Sequence, residues 1–358
     1  MNNSDIKIPE DTFLREDLLN IANCDYIKKL YGKSILITGA TGLIGSIFIK
    51  SLLLCNKINN SNIKVIALAR NKEKAMSIFA DDDTSLLKFI FCDITDKIET
   101  DEEIDFIIHG ASVTNSKLMV TEPVENIKTA IDGTFSILNL AKEKNVSGMV
   151  YLSSMEAYGK PNPNLDEVRE DDLGYIDCLN VRSCYSEGKR MCECLCASFA
   201  HEYNVPVKIA RLAQTFGAGV SYNETRVFAQ FARSLIEEKD IVLHTKGEST
   251  GNYCYTSDCI RALMLILTDG AVGDAYTVVN PVTNITIGDM AKLVAKMSDD
   301  KIKVVFDIPK DALKYGYAPS VKLKLSADKI FNLGWRPQYD LSQMYDRLIG
   351  SMKISKDK

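Results

Sequence analysis

Ser34-Ile-Leu-Ile-Thr-Gly-Ala-Thr-Gly-Leu-Ile-Gly45 decides how the rest of this chain is read. Ile35, Leu36 and Ile37 have the composition of a short buried strand. Gly39, Gly42 and Gly45 follow at the spacing GxxGxxG, and an apolar stretch of helical length runs on to about Leu54. Strand, glycine turn and helix in that order make a phosphate cradle. Gly39 permits the tight turn, Gly42 lets the backbone approach a pyrophosphate, and Gly45 lets the helix lie close to the strand. The anion rests on the helix N-terminus, where unpaired N–H groups and the helix dipole favour it. Thr41, Leu43 and Ile44 belong to this cradle by position. Glycine spacing alone is weak evidence, but at the head of a βαβ unit it points to a bound nucleotide.

Working outward, further apolar runs occur at Lys64–Leu68, Leu87–Phe91, Phe106–Ile108, Met149–Leu152 and Val207–Ala210. Helical stretches at Val124–Lys144 and Ser183–Tyr203 lie between them. Continuous apolar strands separated by helices predict an α/β fold, a Rossmann-type doubly wound parallel sheet covered on both faces. After Arg211 the texture changes to short strands, a helix at Val227–Lys239 and a turn-rich stretch, Gly247–Asn252. The expected organisation is an N-terminal extension over residues 1–32, with one amphipathic helix at Leu14–Leu30, and a dinucleotide-binding domain over 33–215. Residues 216–358 then form mainly a smaller substrate-binding domain, with some segments returning to the sheet.

The 358 residues carry a formal charge of −5 with acidic and basic groups interspersed, which argues against a nucleic-acid surface. The first residues are polar and acidic, and no apolar run has membrane-spanning length, so a cytoplasmic protein is expected. Its ten cysteines should then be reduced. Cys192, Cys194 and Cys196 read as small buried residues on a packed helix, because positions two apart cannot converge on a metal. His201 and His244 are isolated, and no metal site is expected.

The second strand ends Ala67-Leu-Ala-Arg-Asn71. It lacks the acid that usually bonds a ribose 2′-hydroxyl. Arg70 instead suits a 2′-phosphate or an adenine face. The expected cofactor is NAD or NADP, with Arg70 favouring NADP. Asp93 and Ile94, after the third strand, are placed for the adenine, although Asp93 equally suits capping of the next segment.

Tyr185-Ser-Glu-Gly-Lys189 sets a tyrosine and a lysine on one helical face. A lysine cation beside the phenol favours the phenolate and should lower its pKa, making Tyr185 a usable base. The fifth strand runs into Ser153-Ser-Met-Glu-Ala-Tyr-Gly159. Ligands of open α/β sheets bind beyond the carboxyl ends of the strands. Ser154 and Glu156 are therefore expected to point into the cleft, Ser154 onto the same substrate hydroxyl as Tyr185, while Ser153 serves the strand end.

Taken in order, the glycine loop, His109-Gly-Ala-Ser112, the Ser153–Gly159 segment and Tyr185–Lys189 resemble the extended short-chain dehydrogenase/reductase family of nucleotide-sugar epimerases, dehydratases and decarboxylases. The nearest pattern is that of the UDP-glucuronate decarboxylase group, through His109, Pro123, Ile127-Lys-Thr129, Gly133-Thr134, Tyr185–Arg190 and Asn223–Val227. The resemblance covers roughly residues 33–345. It implies catalytic roles for Ser154, Tyr185 and Lys189, acid/base work by Glu156 on the sugar ring, and Gly110, Ala111, Ser112, Tyr185 and Lys189 beside the cofactor. On the substrate side it implies Ser154, Gln214, Arg226 and Tyr253. It also implies a homodimer formed through the helices at Val124–Lys144 and Ser183–Tyr203. The sequence departs from the family where an Asn has become Gln214, where Met155 fills the slot of a dehydratase Asp, and where a substrate-clamping arginine has become Gly251. The function implied is nicotinamide-dependent epimerisation or decarboxylation of a nucleotide sugar through a transient keto-sugar. A net NADPH-dependent reductase of a keto-sugar or sugar phosphate is the alternative, favoured by Arg70. A non-catalytic, cofactor-sensing regulatory protein is a third reading, opposed by the Ser/Tyr/Lys trio.

Overall fold

The structure, a computed structural model, describes residues 10–299, 301–308 and 322–356. Its strands in chain order are β1 (Ser34–Thr38), β2 (Lys64–Ala69), β3 (Leu87–Phe91), β4 (Phe106–His109), β5 (Gly148–Ser154), β6 (Val207–Leu212), β7 (Gln214–Phe216), β8 (Ile241–Leu243), β9 (Thr250–Tyr255), β10 (Ala275–Val278), β11 (Asn280–Thr286) and β12 (Val304–Phe306). Seven of them form one parallel sheet in the order β10-β6-β5-β4-β1-β2-β3. This is the doubly wound arrangement, and its order reverses between β1 and β4, where such sheets open a crevice.

Burial on both faces follows from side-chain alternation. Ile35 and Ile37 of β1 pack on one side, with Phe106 and Ile108 of β4, while Leu36 and Ile107 pack on the other. Helices α1 (Thr12–Ala22), α2 (Leu43–Asn59) and α3 (Lys72–Ile78) precede the short α4 (Leu118–Thr121), and α5 (Pro123–Glu143) and α6 (Ser183–Tyr203) follow. Ile137 and Leu138 of α5 and Cys192 and Cys196 of α6 cover the second face. Cys194, expected to be buried with them, is exposed. Residues i and i+4 share the sheet-facing side of the helix, and i+2 points away.

The remaining helices are α7 (Val227–Ile236), α8 (Thr256–Asp269), α9 (Ile287–Lys296), α10 (Asp328–Asn332) and α11 (Leu341–Lys356). A second apolar core joins Phe216, Phe228, Tyr253, Tyr255, Met290 and Tyr345. It lies by the three-stranded sheet β11-β9-β7; β12 and β8 pair separately. None of the helices among the described residues is long and apolar enough to cross a membrane.

The N-terminal segment differs from the expected single helix. Helix α1 ends at Ala22, Asn23 bonds back to the Leu19 carbonyl, and Cys24 is extended before a 3-10 turn over Asp25–Leu30. Leu18, Ile21, Ile27 and Leu30 nevertheless belong to the core on the α2 side of the sheet. Arg347 of α11 holds this segment: its guanidinium meets Asp17 at 2.8 Å and Glu16 at 2.8 Å, and donates to Tyr255 Oη at 2.9 Å. Tyr255 in turn donates to Asp17 at 2.6 Å.

Candidate active site

The cradle is built as its sequence requires. Gly39 has φ +68°, and a Cβ there would lie 2.9 Å from the Gly110 carbonyl carbon. A Cβ on Gly45 would lie 2.3 Å from the Gly39 carbonyl oxygen, so β1 and α2 could not approach as they do. Gly42 is the N-cap of α2 and brings no side-chain cap. The helix therefore opens with first-turn N–H groups that no side chain satisfies, flanked by Thr41, Leu43 and Ile44. This uncapped, Cβ-free surface fits the pyrophosphate of a dinucleotide.

His109, at the end of β4, stands behind the cradle rather than in it. Thr38 Oγ1 accepts from the Gly110 and Ala111 N–H groups at 3.1 and 3.0 Å, so its proton goes to His109 Nδ1 at 2.8 Å. His109 Nε2–H then donates to Thr134 Oγ1 at 3.2 Å, and Thr134 to Cys192 Sγ at 3.3 Å. Burial, with the Lys189 charge, pushes the imidazole down to about 3. His109 is a neutral tie between β4, β1 and α5, with both ring nitrogens engaged. Ser112, half-buried, lies in the loop that follows.

At the tip of β2 the Arg70 side chain is largely exposed, 3.8 Å from Asp93. Asp93 Oδ1 accepts from the Thr95 N–H at 3.0 Å and from its hydroxyl at 2.8 Å, so this carboxylate caps the next segment while facing Arg70. The Ile94 side chain is buried in the core and leaves only its backbone for a ligand.

Ser154, Glu156 and Tyr185 converge beyond the carboxyl end of β5. Ser154 accepts from the Glu156 N–H at 3.2 Å, starting the 3-10 turn Met155–Tyr158, and its hydroxyl lies near the Tyr185 phenol. Tyr185 stands on the first turn of α6. Burial and the nearby Glu156 charge push its phenol up to about 12, against Ser154, Arg182 and Arg226, which pull it down. This corrects the expectation of a lowered pKa set by Lys189. Spacing of i and i+4 does bring Lys189 beside Tyr185, 5.7 Å from the ring centroid. Its ammonium, however, turns to β5 and donates to the Leu152 carbonyl at 2.7 Å. Burial lowers Lys189 to about 8. Ser153, as expected, serves the strand end by donating to Glu193 at 2.5 Å.

Two members of the site escaped sequence reading. Arg182, the residue before α6, grips Glu156 with Nη1 to Oε2 at 3.0 Å and Nη2 to Oε1 at 3.1 Å. Ser186 Oγ donates to Glu156 Oε2 at 3.2 Å. The available signal was chemical: a carboxylate placed in a cleft requires a cation, and Arg182 lies one helical turn before Tyr185.

Gln214 opens β7 opposite Tyr253 of β9, two residues beyond the Ser154–Leu212 pair. Arg226 caps the approach to α7, bonds Glu224 at 2.8 Å and lies 4.9 Å from the Phe228 ring centroid. Tyr253, expected to line the pocket, has its ring packed 5.7 Å from Phe216 in the second core. Its hydroxyl lies against Gly251, where an added Cβ would be 2.2 Å away. Strand β9 starts at Thr250, inside the stretch read as a turn, because pairing with β7 and β11 extends it.

A parallel sheet with a glycine cradle at β1 and a Ser/Tyr/Lys trio beyond β5 defines a dinucleotide-dependent enzyme of the doubly wound class. The model of the NAD dependent epimerase/dehydratase family matches residues 35–280, and the chain belongs to that family. Among curated relatives it is 27% identical over 306 residues to UDP-glucuronic acid decarboxylase 6 of Arabidopsis thaliana, covering 81% of this chain and 85% of that one. The fold is shared with UDP-glucose 4-epimerase of Thermotoga maritima, at TM-score 0.76 and 21% identity over 90% of this chain and 99% of that one. It is also shared with UDP-glucuronic acid 4-epimerase of Bacillus cereus, at TM-score 0.73 and 20% identity with the same coverage.

Proposed function

We propose that this chain modifies the sugar of a nucleotide-linked substrate by oxidising it transiently and restoring it, the outcome being epimerisation or decarboxylation. The observation that carries this reading is the placement of Ser154, Tyr185 and Lys189 at the carboxyl end of β5, one strand beyond the crevice that holds the cradle. The cradle, with Gly110–Ser112, would hold NAD or NADP, which supplies a reversible hydride acceptor. Tyr185 takes the proton of a sugar hydroxyl, at C4 in the family pattern, and later returns it. Ser154 orients that hydroxyl, Lys189 would hold the cofactor ribose, and Glu156 acts on the ring. Arg226, on an exchangeable surface pair with Glu224, faces the diphosphate, with Gln214 on the sugar side. The same proposal includes a homodimer through α5 and α6, which expose Val124, Ile127, Phe135 and Met191, and a cytoplasmic setting for the ten free thiols.

A second reading, net reduction of a keto-sugar by NADPH, is favoured by Arg70, whose exposed guanidinium suits a 2′-phosphate. Mass spectrometry of the dinucleotide released on denaturing the purified protein separates the two. Retained oxidised cofactor is the expected result; an empty site that fills with NADPH from solution would favour reduction. NADP is the cofactor expected to bind tighter. Arg70→Ala should weaken NADP at least about tenfold, the equivalent of one charge-assisted contact, and leave NAD unchanged in calorimetric titration.

A further inference from the structure

We infer that Arg182 is a positioning residue for oxidation of the sugar hydroxyl: its fork presents one chosen oxygen of Glu156 to the sugar ring and offsets the Glu156 charge beside Tyr185. The inference rests on the nucleotide-sugar reading above and adds to it a residue outside the Ser/Tyr/Lys trio.

Arg182, Tyr185 and Ser186 stand at i, i+3 and i+4, so they share one face at the start of α6. That end of the site packs against the 3-10 turn Met155–Tyr158 after β5. Glu156 joins the two elements. Its N–H donates to Ser154 at 3.2 Å. Its carboxylate accepts from Arg182 Nη1 on Oε2 at 3.0 Å, from Arg182 Nη2 on Oε1 at 3.1 Å, and from Ser186 Oγ on Oε2 at 3.2 Å. Oε2 has two donors and Oε1 one, so Oε1 is the oxygen left for a sugar O–H. The Arg182 fork decides this, because two parallel bonds fix the plane of a carboxylate where one would let it turn.

The arginine is itself held. Its N–H donates to Asn180 Oδ1 at 3.0 Å, and the Ser183 N–H donates to the Asn180 carbonyl at 2.8 Å. Ser183 Oγ donates to the Asp177 carbonyl at 2.7 Å. The Arg182 backbone already has helical angles, φ −64° and ψ −22°. The guanidinium therefore approaches from the same helix end that carries Tyr185. The side chains of Arg182 and Glu156 are 37% and 35% exposed, and a pair so open to water contributes little to folding. Its ordered geometry serves the cleft instead.

Charge balance is the second effect. Near the Tyr185 phenol stand Tyr151 on β5, Ser154 and Glu156 after it, Arg182 before α6, Lys189 on α6 and Arg226 before α7. Near Glu156 stand Arg182, Ser186, Tyr185 and Cys184. Glu156 opposes ionisation of the phenol and Arg182 favours it. Without Arg182, Ser186 alone would hold the carboxylate, Oε1 would lose its aim, and an unbalanced anion would face the phenol that must ionise. Lys189 does not restore the balance, since its ammonium lies on the Leu152 carbonyl.

The test is single-turnover reduction of the nicotinamide in NAD-saturated protein, followed by absorbance between about pH 6 and about pH 10. The glucose and glucuronate conjugates of UDP, dTDP, CDP and GDP are offered to the wild type, and the fastest is carried forward. Arg182→Met is expected to slow reduction at least about tenfold at neutral pH and to move the rise of rate about one unit upward. Arg182→Lys should return the rise to its place yet stay at least about threefold slow, because an ammonium cannot grip both oxygens. Arg182→Met/Glu156→Gln, with both charges gone, should bring the rise back near the wild-type position and lose less than about threefold beyond Glu156→Gln alone. Calorimetric affinity for the bare nucleotide should stay within about threefold, which places the change at the sugar end. A wild-type rate and profile in Arg182→Met overturn the inference, as does a double-variant loss equal to the product of the two single losses. If Arg182→Met does not fold, Arg182→Lys decides: slow reduction with the profile in place supports the inference, and wild-type speed overturns it. If the wild type reduces its nicotinamide with none of these conjugates, the nucleotide-sugar reading falls, and this inference with it.

Discussion

Tyr185→Phe is expected to lower kcat by about a thousandfold while leaving sugar-nucleotide affinity within about threefold. The substitution removes one oxygen from a half-buried ring and no packing surface. What it deletes is the phenol that stands near Ser154 and Glu156 beyond the carboxyl end of β5. A positioned acid–base group contributes about 10²- to 10⁴-fold, and Ser154 alone cannot hold a proton taken from a sugar. The pH profile carries the sign. With the phenol pushed up to about 12 by burial and by Glu156, the base form is scarce at neutral pH. The oxidation step should therefore accelerate as pH rises. Glu156→Gln, by removing the negative neighbour, should move that rise to lower pH. Single-turnover kinetics across pH 6–10 (a range of about four units) separates binding from chemistry. A loss below about tenfold for Tyr185→Phe would assign the proton to another group.

Arg211→Met is expected to destabilise the fold by about 3–5 kcal/mol, the range for stripping one partner from a buried ion pair. Arg211 of β6 meets Glu193 of α6 through Nε at 3.0 Å and Nη2 at 2.8 Å, and donates to the Glu170 carbonyl at 2.6 Å. The two side chains are only 6% and 10% exposed, so water cannot take over. Ser153 would remain as a hydrogen-bond donor to the stranded Glu193. Urea unfolding followed by circular dichroism reads the change, and Arg211→Met/Glu193→Leu should recover most of it, because an apolar pair leaves no buried charge. A single-mutant shift below about 1 kcal/mol would show that the pair adds nothing.

Much of this was legible from the residues. Six sheet strands and the helices between them announce themselves through unbroken apolar runs, and the cradle through glycines that only close backbone contact explains. The seventh strand, Ala275–Val278, was harder to see: it has four residues, sits at the sheet edge, and owes its existence to pairing with β6. The break after α1 has no proline or glycine to mark it, and arises where Asn23 caps its own helix. The convergence of Ser154 and Tyr185 followed from their place beyond the carboxyl end of β5. The direction in which Lys189 points did not, because spacing brings two side chains together without saying which acceptor wins. The Arg182–Glu156 grip joins residues 26 apart in the chain, across a loop that carries no periodic signal.

The clasp of Arg347 on Asp17 joins residues 330 positions apart. Closing so long a loop costs entropy that only the assembled tertiary structure repays, so the clasp forms late in folding. Until then Asp17 lacks its cation at the docking surface of α1, and the seating of that helix waits on α11. Tyr255, the third member of the clasp, stands on β9 two residues from Tyr253. Strand β9 is thereby fastened to α1 and α11 at one point, so loosening either helix loosens the second core.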